Sequence, residues 1–271
     1  GGEFALHSAD RPLLEAVATY DGGIDSAALW KLRDYVYARK DSPEGRAECE
    51  AKLLQFLKTA ATPVAKMAAG RHLRVIAGDT AVPALQAMLA DERSADMALY
   101  ALQQIPGEAA EGALVGALKT STGPTKIAIM TALGERKTAA AVPALAPLLL
   151  QPAFAGAAAI ALGRIGGDAA AAALVAAYPT ASADLKPVVA SSMLATAERW
   201  LAGKNAGAAR RVYDTLASDT SLPVPLRKAA GMGRISASGT GAGSLLLDLL
   251  GGPDPNMQEA AVARIADVFT P

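Results

Sequence analysis

The sequence predicts an all-α chain, a solenoid of about eight antiparallel helix pairs. Three observations predict it. Ala81-Val82-Pro83-Ala84-Leu85 recurs sixty residues on as Ala141-Val142-Pro143-Ala144-Leu145, with a proline-free copy, Ala110-Glu111-Gly112-Ala113-Leu114, between them. An apolar helix end, usually followed by glycine, alternates with this motif at a spacing of about thirty residues, in the solenoid range. Its copies are Ile76-Ala77-Gly78, Ile105-Pro106-Gly107, Leu133-Gly134, Ile165-Gly166-Gly167 and, without glycine, Ile235-Ser236. Finally, no run alternates apolar and polar residues as a half-buried strand requires.

Composition agrees. The 271 residues are 52% hydrophobic but only 4% aromatic, and alanine dominates the apolar share. Small side chains bury little area each, so a good core needs backbones that approach closely. Residues 1–10 are expected to lie outside the fold, and Gly1-Gly2-Glu3-Phe4 reads as a cloning remnant. Residues 11–271 are expected to form one domain: N-terminal capping pairs at 11–78, regular repeats at 79–179 and divergent repeats at 180–271.

In the capping region four helices are predicted, Leu13 to Tyr20, Ala27 to Arg39, Glu48 to Lys58 and Pro63 to Ile76. Trp30, Tyr35, Tyr37 and Phe56 give this region its bulk. In the regular repeats the first helix opens at a proline, Pro83 or Pro143, whose missing N–H costs nothing in a first turn. Leu85, Met88 and Leu89 then share one face. The second helix runs from about Arg93 to Ile105, with Ala95, Ala98, Leu99, Leu102 and Ile105 inward, and Gly107 ends it. A new helix starts at about Glu108, so the link is short and the neighbours antiparallel. Downstream, a helix from Ser182 to Leu201 is expected to break or bend near Pro187. Helices at Ala206 to Leu216, Val224 to Ile235, Gly243 to Leu250 and Asn256 to Phe269 follow. The last should bury Ala260, Val262, Ile265 and Val268.

Ala81-Val82-Pro83-Ala84-Leu85 with Asp91, and Ala158-Ala159-Ile160-Ala161-Leu162-Gly163-Arg164-Ile165-Gly166-Gly167, resemble HEAT repeats of the short bacterial type found in the phycocyanobilin-lyase-like group. The resemblance spans about Thr80 to Ala177 and weakens on both sides. It implies a right-handed superhelix of stacked helix pairs that binds protein, and it carries no catalytic residues. The pair near 183–217, from Ala197-Glu198-Arg199-Trp200-Leu201 through Tyr213 to Leu216, also resembles a tetratricopeptide hairpin.

Lys+Arg 26 balances Asp+Glu 26. A nucleic-acid grip needs a sustained positive field, so the balance argues against one. With one cysteine and two histidines, a disulfide framework is excluded and no metal or cofactor site is expected. Residues 138–163 carry no charge, but three prolines interrupt them and no membrane span is expected. Gly239-Thr240-Gly241-Ala242-Gly243-Ser244 lacks the strand and the lysine of a phosphate cradle and reads as an inter-repeat turn. Cys49 has acidic neighbours, which disfavour a thiolate. His72, between arginines and without a second histidine on its helix, reads as a surface polar residue.

A surface remains. On the helix over 93–105, Asp96, Tyr100 and Gln103 lie away from the leucines, and aligning helix ends sets Arg71 opposite Tyr100 and Arg74 opposite Gln103. Arg71, Arg74, Asp96, Tyr100 and Gln103 are the candidate partner-binding residues, expected to be exposed. Tyrosine and arginine are favoured at binding hot spots. The functional expectation is a non-enzymatic scaffold binding another protein or peptide on its concave face, as a segment of a larger bacterial protein, cytoplasmic or exported. The rival is a lyase-like or chaperone-like enzyme of the HEAT-repeat chromophore-attachment type. Nucleic-acid binding comes third.

Overall fold

The structure, a computed structural model, describes residues 10–270, so the expected remnant at 1–4 lies outside the described residues. These residues are all-helical, with no strand among them. The sixteen α-helices are α1 (Arg11–Ala18), α2 (Ala27–Tyr37), α3 (Pro43–Leu57), α4 (Pro63–Ile76), α5 (Val82–Met88), α6 (Ala95–Gln104), α7 (Glu108–Thr120) and α8 (Gly123–Glu135), then α9 (Val142–Leu145), α10 (Ala155–Ile165), α11 (Gly167–Ala177), α12 (Lys186–Ala202), α13 (Ala206–Ser218), α14 (Val224–Ser236), α15 (Ala242–Gly251) and α16 (Pro255–Phe269). None is long and apolar enough to cross a membrane.

The chain divides into two compact units, with the division after Ala132 inside α8. In the first unit α1 packs on α2, α3 on α4, α4 on α6, and α5 on both α6 and α7. In the second, α10 packs on α12, α12 on α13 and α14, α13 on α14, and α14 and α15 on α16. Helices two apart in the chain thus pack in each unit, as helices from successive pairs do when pairs stack.

The sixty-residue repeat is reproduced in the bonds that open its second helix. The N–H of Ala95 donates to the carbonyl of Asp91 and that of Ala155 to Gln151, both at 2.8 Å. The next pair, Ala98 to Ser94 and Ala158 to Phe154, measures 2.9 Å in each copy. A 3₁₀ turn precedes α5, α9 and α15: the N–H of Val82 donates to Asp79, that of Val142 to Ala139, and that of Ala242 to Gly239. The glycine-rich stretch at 239–244 therefore opens a helix pair, as expected of an inter-repeat turn.

Proline placement sets the helix starts. Pro12, Pro43, Pro63, Pro83, Pro143, Pro187, Pro225 and Pro255 all fall in first turns. Of the expected break or bend near Pro187 the structure has the break: 183–185 form a turn and α12 begins at Lys186, one residue before the proline. Pro43, with the Ser42 hydroxyl accepting from Gly45 N–H at 3.1 Å, starts α3 five residues ahead of the expected Glu48. Pro147 has no N–H to return to Pro143, so α9 gives way after Leu145 to a 3₁₀ turn, Ala146–Leu150.

Close approach replaces bulk, as the alanine-rich composition implies. A Cβ on Gly134 would meet the Ala161 Cα at 3.0 Å, and one on Gly163 would meet the Ser192 Cβ at 2.8 Å. The aromatic residues of the N-terminal region divide: Tyr35 and Phe56 are buried, whereas Trp30 and Tyr37 are exposed. On α16 the buried residues are Met257, Ala260 and Ala261, while Val262 and Ile265 are exposed. Met257 and Ala260 seat on Gly231 of α14, and that contact turns the valine and isoleucine outward.

Candidate functional site

Of the five predicted residues, Arg71, Arg74 and Asp96 are exposed, but Tyr100 and Gln103 are half-buried. The reason for Tyr100 is local. Its ring lies over Gly70, where a Cβ would come within 3.2 Å of it. Gly70, not Arg71, is thus the α4 residue beneath the tyrosine ring. Arg71 faces a notch between α2 and α4, lined also by Leu29, Trp30, Arg33, Ala68 and His72. Asp96 lines a different, more polar groove with Gln86, Glu92 and Thr125. The structure brings Tyr100 against the segment that carries Arg71, and sets Asp96 in the other groove.

A groove that sequence reasoning missed lies in the second unit, among α11, α12 and α13, with a volume of about 550 Å³. Its floor is apolar: Ala171, Ala172, Val175, Met193 and Val212. Asp168, Trp200, Asn205, Arg211 and Thr215 supply its polar atoms. The Trp200 indole N–H donates to Asp168 Oδ1 at 2.8 Å, which fixes the ring and leaves its faces to the groove. Asn205 caps α13, its side-chain oxygen accepting from the Ala208 N–H.

The preceding residue holds the same junction from outside. The Arg199 guanidinium donates to the carbonyls of Gly163 and Arg164, satisfying the C-terminal end of α10. This requires glycine at 166: its φ is +71°, and a Cβ there would fall on the guanidinium. Arg199 and Trp200 thus pin both sides of the α10–α11 link. The signal in the sequence was the Ile165-Gly166-Gly167 ending; the arginine and tryptophan that use it lie more than thirty residues on.

Two polar clusters complete the picture. Asp219 accepts from Ser221 Oγ at 2.5 Å, from Tyr178 Oη at 2.7 Å and from Lys186 Nζ at 2.9 Å. Those bonds hold its carboxyl well below the usual range. In the first unit Lys52, buried, donates to Asp10, to Glu48 at 2.5 Å and to Tyr35 Oη at 3.2 Å. Burial opposes its charge, but these bonds hold the ammonium above its ordinary value. Cys49 is buried beside this cluster, and burial pushes its thiol up to about 11. It is a packing residue, disfavoured as a thiolate at neutral pH. His72 is half-buried, and burial together with Arg71 and Arg33 lowers its pKa. No group of acidic, histidine and cysteine side chains suited to a metal ion occurs among the described residues.

No protein-family model matches the chain, and no curated protein matches it.

Proposed function

We propose that the chain is a stacked helical-repeat scaffold of the HEAT kind that binds another protein, and that the groove of α11, α12 and α13 is a contact site. One observation carries the reading: a tryptophan locked by its own N–H bond beside an apolar floor, with Arg211 in the lining. Tryptophan and arginine dominate binding hot spots, and a ring already fixed loses little freedom on binding. The matching bonds at the start of α6 and α10 and the packing of helices two apart support the repeat assignment. The one-piece, right-handed solenoid and the concave binding face belong to this same proposal, as do Arg71, Arg74, Asp96, Tyr100 and Gln103 as contacts.

The test compares the wild-type chain with Trp200→Ala/Arg211→Ala as bait in an extract of the native host. Bound proteins are identified by mass spectrometry, and melting temperatures are measured beside them. The expected result is a partner held by the wild type and lost by a variant that still folds. A partner retained by the folded variant moves the contact elsewhere, and no partner at all removes the scaffold reading.

A further inference from the structure

The notch between α2 and α4 is small, about 290 Å³, and open. Trp30 is 56% exposed, and its indole N–H is already donated to Ser26 Oγ at 3.1 Å. What the ring offers a ligand is therefore its apolar surface, continued by Leu29 and Ala68. The Arg33 guanidinium sits 4.5 Å from the ring centroid and also bonds Asp34 at 2.8 Å. Arg71, across the notch, has no hydrogen-bond or ion-pair partner among the described residues. The charged lining consists of Arg33, Arg71 and the titratable His72, with no carboxylate among the lining residues. The charges of the whole chain balance and Arg33 has Asp34, but Arg71 in this notch has no counter-ion among the described residues.

We propose that this notch binds a peptide segment of a partner protein that presents a carboxylate beside an apolar side chain. The guanidinium fork of Arg71 matches a carboxylate in two parallel bonds. The tryptophan face and Leu29 take the neighbouring apolar side chain. The volume suits one or two side chains, so the segment is anchored here and continues outside. A nucleic-acid strand would need positive charge along its whole track, which two arginines do not supply. His72 supports the assignment: its lowered pKa reflects burial and the two nearby arginines, a field that an arriving carboxylate would relieve.

The probe is a capped hexapeptide of leucine and glutamate, with a glutamine-for-glutamate copy as control. The full chain has two tryptophans. Their indole N–H signals separate this notch from the α11–α13 groove in a nitrogen–proton correlation spectrum, with Trp30→Phe used only for assignment. The expected result is a saturable shift of the Trp30 signal with the glutamate peptide, at least about tenfold weaker for Arg71→Gln and for the glutamine copy. Arg71 is exposed, so the variant should melt with the wild type. Equal binding of the glutamine copy overturns the proposal, as does an unaltered affinity in Arg71→Gln. A shift confined to Trp200, equal binding of inorganic phosphate or a short oligonucleotide, or no saturable shift at all would also overturn it. Because the readout is Trp30, this result and that for the α11–α13 groove stand or fall separately.

Discussion

Asp219 joins the turn after α11, the start of α12 and the end of α13 through one carboxylate. Its native pKa lies below the ordinary 3.8. The sign follows: its contribution is fully present above that value and is lost as pH falls through the native pKa. Melting temperature should therefore fall on acidification below about pH 4, and Asp219→Asn should flatten that slope while costing about 1–3 kcal/mol at neutral pH. A melting curve series from pH 7 to pH 2 for both proteins checks it. Gly166→Ala should cost about 2–3 kcal/mol or more, since it strains a positive φ and displaces Arg199 from the α10 carbonyls. Tyr100→Ala should also destabilise measurably, because the ring covers Gly70; the expectation that it is merely exposed does not hold.

At the scale of elements, two helix ends share one device. After α8 the N–H of Thr138 reaches Leu133 and that of Lys137 reaches Gly134; after α12 Asn205 reaches Trp200 and Lys204 reaches Leu201. These are the paired bonds of a Schellman end, with a lysine rather than glycine at the left-handed position, φ +54° and +64°. Lys204→Gly should then stabilise by up to about 1 kcal/mol, read as a raised melting temperature. Helix positions were legible in the sequence because prolines and glycines punctuate it through the backbone alone: α4 spans the expected Pro63 to Ile76, and α6 buries its expected stripe. What lay beyond reading was rotation between helices. Spacing within α4 and α6 cannot say that Gly70, rather than Arg71, meets Tyr100, nor that Val262 and Ile265 turn outward. The Trp200 groove was hidden for the same reason, since Asp168 and Trp200 meet only when α11 and α12 pack.

For the whole molecule, the all-helical architecture predicts a circular dichroism spectrum dominated by helix, with no sheet component. A backbone nick between Gly166 and Gly167 falls inside the second compact unit and parts α10 from α11. Both helices pack on α12. Stability that is a sum over neighbours is lost where neighbours are parted. The nicked chain should therefore lose amide-exchange protection across α10–α12 while α3–α6 keep theirs. Uniform loss along the chain would mean that the two units unfold as one.

The 3₁₀ turn ahead of α5, α9 and α15 is written as Asp-Thr-Ala, Ala-Ala-Ala and Gly-Thr-Gly, yet closes with the same backbone bond each time. That bond is a backbone one, so it does not itself dictate the letters; burial does. Where the last position of the turn is buried, at Ala81 and Ala141, the letter is the same, and where it is exposed, at Gly241, it differs. The spelling of such a joint is set by what covers it, its geometry by the backbone.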